Sequence, residues 1–283
     1  MGKKLYIETA VLLITFNRPD LTKKLLEKIL KYDFKNLIIV SDGPRNFQDR
    51  QLVESSRQII VEIAPKNSEF IFRHANLGCK NNVYISLMEA ISKHEKLIIL
   101  EDDCIPGKYF FEYCECMLEK FSDDLRISHI SGVNPQDYDS SNDIFLSKYP
   151  RIWGWACWRR SLNGFDTRIK FLPRLSRRFS FIDYFLHFYF YYCIHIKKVN
   201  TWDYQLLLHI LSKGYSIVPK ISLVENVGFR EDATHTNIDG INYELQASKV
   251  DYAELSFSYD MLCKKNDRNI AKFLLPKIIR NYF

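Results

Sequence analysis

The chain has 283 residues, of which 47 % are hydrophobic and 26 % are charged. This composition is typical of a packed globular protein and excludes a disordered one, and the length allows one large α/β domain or two small domains. The net charge of +6 is compatible with an anionic substrate or a membrane surface, but it is too small to indicate a nucleic-acid partner.

The cysteines and the N-terminal residues bear on the cellular compartment. The seven cysteines include no CxxC pair, which argues against a disulfide framework or a zinc site and favours a reducing cytoplasm. Residues 1–8 resemble a signal peptide superficially, but Glu8 interrupts the apolar stretch and no small-residue cleavage site follows. A first strand is therefore the better interpretation.

The first hundred residues predict four strand–helix units. Short apolar runs predict strands over residues 10–16, 37–40, 70–73 and 97–100. Apolar residues at helical spacing predict helices from Pro19, over roughly 48–63, and after Asn81 or Asn82 as N-cap. This alternation predicts an α/β fold with a mostly parallel central sheet flanked by helices.

Polar residues follow each of these strands. Because the strands are expected to be parallel, the polar segments should meet at one edge of the sheet, where α/β proteins bind ligands. The segments are Thr15-Phe16-Asn17-Arg18, Ser41-Asp42, the Asn76 loop and Glu101-Asp102-Asp103. The pattern is typical of a nucleotide-binding edge, although a generic Rossmann-like protein has it too.

The acidic triplet Glu101-Asp102-Asp103 is the most informative of these segments. Ionised carboxylates are costly to bury, so the triplet lies at an open crevice or binds a cation. Carboxylate oxygens suit Mg²⁺ or Mn²⁺ carrying a diphosphate. Side chains alternate along an extended strand, so Glu101 and Asp103 are expected to share a face while Asp102 points away. The alternative is a solvated acidic turn.

Two aromatic segments mark the second half of the chain. Trp153, Trp155 and Trp158 predict a platform that stacks on sugar rings, with core packing as the alternative. Residues 179–196 are long enough for a membrane span, but their Asp and His residues favour an interfacial or buried helix.

The remaining segments are a helix, a strand, a polar loop and a tail. A helix is predicted from Thr201 through Leu211, and a strand over residues 215–219. The polar loop contains His235. Residues 263–283 predict a basic amphipathic helix that lies on a membrane surface or packs on the domain.

Several motifs together resemble a known family. The chain is similar to GT-A-fold nucleotide-diphospho-sugar transferases, and more narrowly to the bacterial group labelled "hemolytic protein HlpA-like". A more distant similarity is to the N-acetylglucosaminyltransferase I group, which also has a Glu-Asp-Asp strand end and a later Trp-Asp dipeptide. The motifs are ITFNRPD (14–20), SDGPR (41–45), NLGCKNN (76–82), LEDDCIP (100–106), ISGVN (130–134), IWGWACWRR (152–160), TWDYQ (201–205) and NVGFREDATHT (226–236).

This resemblance implies roles for individual residues. Asp103 matches a direct metal ligand, and His235 a late metal or diphosphate ligand. Asp203 matches the general base of an inverting reaction. Trp153, Trp155 and Trp158 fall in the acceptor-binding half. The implied nucleotide-sugar contacts are Asp42 at the nucleobase, Arg18 at base or phosphate, Asp102 and Glu101 at the ribose and neighbouring groups, and Thr15, Asn17, Asn76, Gly78, Lys80 and Asn81 around them.

Three of these assignments have a purely structural alternative. Asp203 stands at a predicted helix start, where the helix dipole would keep it ionised and hence basic, but where it could also be an ordinary cap. Asp42 precedes Gly-Pro and is also a good turn residue. His235 is alternatively an ordinary loop or core histidine.

The resemblance implies a metal-dependent, inverting glycosyltransferase that uses a UDP-sugar, Mn²⁺ or Mg²⁺, and a glycan or lipid-linked saccharide acceptor. It places a transferase domain over residues 1–262, with a nucleotide-sugar half (1–106) and an acceptor half (107–262). The expected location is the cytoplasm, in peripheral contact with the inner face of the plasma membrane. One alternative is a sugar-phosphate nucleotidyltransferase, which would be expected to have a glycine-rich first loop to bind a triphosphate. The other is a non-enzymatic membrane- or carbohydrate-binding protein.

Overall fold

The computed structural model describes residues 4–134, 143–167, 181–196, 201–228 and residue 267. Strands and helices alternate along these ranges. The strands are β1 (Leu5–Ile7), β2 (Ala10–Thr15), β3 (Tyr32–Phe34), β4 (Leu37–Ser41), β5 (Glu69–Phe72), β6 (Lys96–Glu101), β7 (Cys104–Pro106), β8 (Ile127–Ser131), β9 (Ile144–Ser147), β10 (Trp155–Trp158), β11 (Tyr215–Pro219) and β12 (Val224–Asn226). The helices are α1 (Pro19–Ile29), α2 (Phe47–Ile63), α3 (Gly78–Lys93), α4 (Phe110–Lys120), α5 (Arg159–Leu162), α6 (Phe181–His195) and α7 (Asp203–Lys213).

A central sheet of eight strands organises the structure, in the order β5-β4-β2-β6-β10-β8-β11-β9. The first four strands in this order, β5, β4, β2 and β6, are parallel to one another. Strand β10 is antiparallel to both β6 and β8, and β11 is parallel to β8 but antiparallel to β9. The predicted α/β fold is therefore confirmed, with a fully parallel half that carries the four predicted strands and a mixed half that follows it.

Helices cover both faces of the sheet, as side-chain alternation along the strands requires. On β2, Leu13 packs into one core with α1, α2 and α4, while Leu12 packs into the other with α3, α5 and α7. Both cores are aliphatic near the parallel strands. The carboxyl ends of β2, β4 and β6 are consequently held rigidly at one edge.

Helix α3 begins earlier than predicted. The sequence predicts Asn81 or Asn82 as its N-cap, but the helix starts at Gly78, and Leu77 precedes it without a side-chain cap. Asp42, at the end of β4, accepts hydrogen bonds from the backbone N–H groups of Leu77 and Gly78 at 2.9 and 3.0 Å. Two of the backbone N–H groups at this helix start are thus satisfied by a carboxylate from another element, which local patterns do not reveal.

Helix α6 has one buried face and one exposed face, although its sequence has aromatic residues on both. Leu186 and Phe190 pack with Leu208 of α7 in a third apolar cluster. Asp183 is buried and accepts a hydrogen bond from Lys148 Nζ at 2.8 Å and another from Tyr149. None of the helices in the described ranges is long and apolar enough to cross a membrane.

Asp267 lies in the same neighbourhood and is 6 % exposed. Its carboxylate accepts hydrogen bonds from Ser147 Oγ at 2.6 Å and from the Lys148 backbone N–H at 3.2 Å. Burial raises the pKa of Asp267 to about 6, although both hydrogen bonds and the Lys148 charge act in the opposite direction. The rest of the predicted helix over residues 263–283 lies outside the described residues.

This carboxyl predicts a specific pH dependence of stability. Because its folded pKa is raised, its contribution is fully present below the unfolded pKa and is lost as pH rises through about 6. We expect the free energy of unfolding to fall between pH 5 and pH 8 by about 1.4 kcal/mol more in the wild type than in Asp267→Asn, because pH 5 is only about one unit below the folded pKa. Urea denaturation at both pH values measures this, with Asp33→Asn, an exposed carboxylate, as the control. Equal pH dependence in wild type and Asp267→Asn would contradict the assignment.

Candidate active site

A crevice of about 160 Å³ lies at the carboxyl ends of β2, β4 and β6. The residues that line it come from the three strand ends and from the start of α3: Ile14, Thr15, Phe16, Arg18, Asp42, Arg45, Asn76, Gly78, Cys79, Asn82, Val83, Glu101, Asp102 and Asp103. Two larger depressions, of about 630 and 520 Å³, are shallow grooves beside exposed ion pairs. The smaller crevice is the better site, because it is narrower and its polar groups converge.

Most of the predicted nucleotide contacts line this crevice, namely Thr15, Arg18, Asp42, Asn76, Gly78, Glu101 and Asp102. Three others do not. Asn17 Nδ2 donates to Asp49 at 2.7 Å, Asn81 is exposed and donates to Leu77 O, and Lys80 lies beside it on α3 outside the crevice lining.

The acidic triplet is the centre of the crevice. Strand β6 ends at Glu101, and Asp102 and Asp103 form a turn, so the strand alternation predicted for them does not continue and all three acids line the same cavity. Arg18 Nη1 donates to Asp102 Oδ1 at 3.3 Å and to Asp103 Oδ2 at 2.9 Å, and the Phe16 backbone N–H donates to Asp102 Oδ2 at 3.2 Å. With Asp102 only 6 % exposed, the triplet is not a solvated turn.

Burial and mutual repulsion disfavour full ionisation of the triplet. Burial raises the pKa of Glu101 well above its usual range, and the charges of Asp103, Asp102 and Asp203 raise it further. Burial and then Asp103 raise the pKa of Asp102 to about 7, although Arg18 acts in the opposite direction. A cation in the crevice would therefore be stabilised by carboxylates that repel one another without it.

The oxygen-rich chemistry of the crevice fits a hard divalent cation. No group of three or more His, Cys, Asp or Glu residues converges as a ready-made metal site within the described part of the chain. Mg²⁺ sites of phosphate-transferring enzymes commonly use one or two carboxylates together with substrate phosphates. The residues present fit that mode, with Asp103 as the protein ligand. His235, the other predicted ligand, lies outside the described residues.

Asp203 is brought to the triplet although it lies a hundred residues further along the chain. It is the first residue of α7, and its Oδ1 accepts hydrogen bonds from the Tyr204 backbone N–H at 2.9 Å and from the Thr201 hydroxyl. Its charge contributes to the raised pKa of Glu101 and of Cys79 in the crevice wall. A carboxylate near, but not within, the triplet is thus available for proton transfer.

Asp42 has a structural role in this site. Its Oδ1 accepts from the backbone N–H groups of Gly43 and Leu77, both at 2.9 Å, and its Oδ2 from Gly78 N at 3.0 Å and Asn76 Nδ2 at 3.1 Å. These four bonds use about all the acceptor capacity of a carboxylate. Asp42 therefore fastens the loop before α3 to the end of β4, rather than presenting an open edge to a nucleobase.

Replacing Asp42 by asparagine tests this fastening. The amide nitrogen would face backbone N–H donors, so at least one buried donor loses its acceptor. We expect the free energy of unfolding to fall by about 1–3 kcal/mol in Asp42→Asn, measured by urea denaturation. Asp33→Asn, in an exposed position, should change it by less than about 0.5 kcal/mol. A stability of Asp42→Asn equal to that of the wild type would contradict the fastening role.

The small sheet β7–β12 brings a late segment of the chain against Asp103. The Val227 backbone N–H donates to Asp103 O at 2.9 Å, and Gly228 follows it. A Cβ atom on Gly228 would lie 2.2 Å from Asp103 Oδ2, so only glycine fits here without displacing that carboxylate. The sequence motif that begins at Asn226 therefore supports the acidic triplet directly.

The predicted tryptophan platform is wrong for two of its three members. Trp155 is 1 % exposed and stacks on His129, with ring centroids 5.3 Å apart. Trp158 is 4 % exposed, and its Nε1 donates to Leu118 O at 3.1 Å. Both lie on β10 inside the central sheet, where each side chain enters a core, so neither can stack on a sugar. Trp153 precedes the strand and is partly buried.

Several crevice residues were not predicted from the sequence. Arg45 lies with its guanidinium 5.1 Å from the centre of the Phe16 ring and donates to Asp49 through Nε at 2.5 Å. Asn82 and Cys79 come from the first turns of α3. The quoted motifs contain Arg45, Cys79 and Asn82. The position of Arg45 depends on its contact with Asp49 of α2, and those of Cys79 and Asn82 depend on where α3 begins.

Comparisons with known proteins leave the family of this chain unassigned. No family model and no curated protein matches it. Its structure is similar to the mannosyltransferase PcManGT from Pyrobaculum calidifontis in complex with GDP-Man and Mn²⁺, with 13 % identity, 72 % of this chain and 69 % of that chain covered, and a TM-score of 0.40. It is also similar to mannose-1-phosphate geranyltransferase from Thermus thermophilus, with 9 % identity, coverages of 75 % and 74 % and a TM-score of 0.39.

A third similar structure is 4-diphosphocytidyl-2C-methyl-D-erythritolsynthase from Anaerococcus prevotii, with 10 % identity, coverages of 65 % and 84 % and a TM-score of 0.35. At these identities and TM-scores, the likenesses carry no argument about the activity of this chain.

Proposed function

We propose that this chain is an inverting glycosyltransferase that takes a sugar from a nucleotide-diphospho-sugar, with a UDP-sugar as the donor. The observation that carries the proposal is the Glu101-Asp102-Asp103 triplet in the crevice, with Asp203 close enough for its charge to act on Glu101 and Cys79. The motif resemblance described above supports the same assignment. The proposed acceptor is a saccharide hydroxyl on a glycan or a lipid-linked saccharide.

Some crevice residues are proposed to bind the charged groups of the donor and its cation, and others to orient the donor. Asp103 is proposed to hold a divalent cation, Mn²⁺ or Mg²⁺, which when bound neutralises charge on the diphosphate leaving group. Asp102 is proposed to accept from a ribose hydroxyl. Arg18 already lies between Asp102 and Asp103, so its guanidinium is close to where a phosphate oxygen would enter.

Asp203 is proposed to act as the general base. It takes the proton from the acceptor hydroxyl while the acceptor oxygen bonds to the anomeric carbon. The bond from that carbon to the diphosphate oxygen breaks, and the nucleoside diphosphate leaves with the electron pair. The transition state is oxocarbenium-like, as in glycoside hydrolysis. The position of Asp203 in the first turn of α7 favours its ionised, basic form.

The first loop favours glycosyl transfer over nucleotidyl transfer. A nucleotidyltransferase would be expected to cradle a triphosphate with the free N–H groups of a glycine-rich loop. Here the loop is Thr15-Phe16-Asn17-Arg18-Pro19, without glycine, and the Phe16 N–H already donates to Asp102. This loop has less capacity to bind additional phosphates.

Product analysis distinguishes the two activities. The protein is incubated with Mn²⁺ and a panel of UDP-, GDP-, CMP- and dTDP-sugars, with and without mixed saccharide acceptors, and the phosphorus products are separated. We expect nucleoside diphosphate to be released from a UDP-sugar. Pyrophosphate released from a nucleoside triphosphate and a sugar 1-phosphate would show a nucleotidyltransferase instead, and no turnover of any donor would favour a binding protein.

We also propose that α6 contacts an anionic membrane surface peripherally. Three of its side chains at intervals of four residues are exposed, with Tyr184 46 %, Phe188 58 % and Tyr192 38 % accessible, and Ile196 just after the helix is 65 % accessible. Lysines at 197 and 198 follow in the sequence. An aromatic stripe with adjoining positive charge is typical of interfacial helices.

Vesicle flotation tests the membrane contact. We expect the wild type to float with vesicles containing anionic phospholipid, and Phe188→Glu to lose most of that binding because a charge would enter the lipid interface. Phe47→Glu, which changes a still more exposed phenylalanine on α2, is the matched control and should bind like the wild type. Equal flotation of Phe188→Glu and the wild type would contradict a role for this stripe.

A further inference from the structure

Asn82 has an unpaired buried acceptor in the wall of the crevice. The residue lies in α3, is 3 % exposed and lines the cavity with Asp42, Asn76 and Glu101. Its Oδ1 has no hydrogen-bond partner among the described residues. A buried polar atom without a partner costs about 1–3 kcal/mol, and a donor group of a bound ligand would remove that cost.

Asp42, which lines the same part of the crevice, is already engaged. Asp42 uses both carboxylate oxygens on the loop before α3. Asn82 Oδ1, in contrast, can receive a new donor from a ligand without the loss of an existing hydrogen bond.

We infer that Asn82 reads the nucleobase of the bound donor, by accepting the imide N–H of uracil at Oδ1. This inference rests on the proposed function and refines it, because it transfers nucleobase recognition from Asp42 to Asn82. A carboxamide is a natural partner for an imide, since its oxygen accepts the ring N–H and its NH₂ group can donate to the adjacent ring carbonyl.

The matched control lies one helical turn further along the same helix. Ser86 is 1 % exposed, and its Oγ also lacks a partner among the described residues, but Ser86 does not line the crevice. Ser86→Ala therefore removes a buried, unpaired polar group from α3 without touching the proposed contact.

Calorimetric titration with UDP and N3-methyl-UDP, in Mg²⁺, tests the contact as a double-mutant cycle. We expect the wild type to bind N3-methyl-UDP about 10–100-fold more weakly than UDP. Asn82→Leu and Asn82→Ala should bind UDP about 10–100-fold more weakly than the wild type does, and should lose most of the discrimination between the two nucleotides. Ser86→Ala should behave like the wild type.

Three outcomes overturn the inference. Undiminished UDP binding by a folded Asn82→Leu or Asn82→Ala variant would do so, as would persistence of the full N3-methyl penalty in those variants. In the third outcome, the Asn82 variants no longer discriminate between UDP and 2′-deoxy-UDP but still discriminate between UDP and N3-methyl-UDP. That result would assign Asn82 to the ribose. Failure of the wild type to bind any nucleoside diphosphate would instead contradict the proposed function, so the two failures are distinguishable.

Discussion

Replacing Asp103 by asparagine is expected to lower the rate of sugar transfer about 10³-fold, equivalent to about 4 kcal/mol of transition-state stabilisation. The substitution keeps the size of the side chain but removes the charge that a divalent cation needs. It also leaves Arg18 with one carboxylate fewer. Initial rates of nucleoside diphosphate release, at an Mn²⁺ concentration that saturates the wild type, measure the loss. A tenfold higher Mn²⁺ concentration should recover only part of the rate of Asp103→Asn.

The control for Asp103 is another aspartate-to-asparagine change. Asp33 lies on β3, has an exposed side chain and pairs with Lys4 at 3.8 Å, away from the crevice. Asp33→Asn should retain the wild-type rate. A transfer rate in Asp103→Asn within about threefold of the wild type, with unchanged metal dependence, would show that Asp103 is not the metal ligand.

Replacing Asp203 by asparagine is expected to lower kcat about 10²–10⁴-fold, the usual contribution of a general base. The amide oxygen can still accept from the Tyr204 N–H and the Thr201 hydroxyl, so α7 should keep its start. Donor binding should consequently stay within about twofold of the wild type. Single-turnover rates and calorimetry with UDP separate the two effects.

The neighbouring hydroxyl provides the comparison for Asp203. Thr201→Val removes a hydrogen bond to Asp203 Oδ1 but leaves the carboxylate in place. We expect a decrease in kcat of about tenfold or less, corresponding to one hydrogen bond. If Asp203→Asn turns over as fast as Thr201→Val, Asp203 is an ordinary helix-capping residue.

The parallel half of the fold could be predicted from the sequence because its signals are local. Strands such as β2 and β6 are continuous apolar runs, and α1 has a clear apolar face after Pro19. The common edge of the polar segments follows from parallel pairing alone. The acidic triplet at the end of β6 lies in the crevice for that reason.

The mixed half of the sheet and the contacts within the crevice depend on long-range contacts that no local sequence pattern indicates. Strand β10 inserts antiparallel between β6 and β8, and this buries Trp155 and Trp158, which the sequence suggested as a sugar-binding platform. Asp42 looks like either a turn residue or a ligand contact, and only the position of α3 shows that it holds the loop before that helix. The role of Asn82 is hidden for the same reason.

The most direct test of the account is a crystal structure of the protein soaked with UDP and Mn²⁺, with anomalous diffraction recorded for manganese. We predict a manganese peak at the Asp103 carboxylate, bridging to the diphosphate, with the uracil ring beside Asn82. Manganese and nucleotide bound away from the crevice, for example in the 630 Å³ groove beside Lys96, would contradict it.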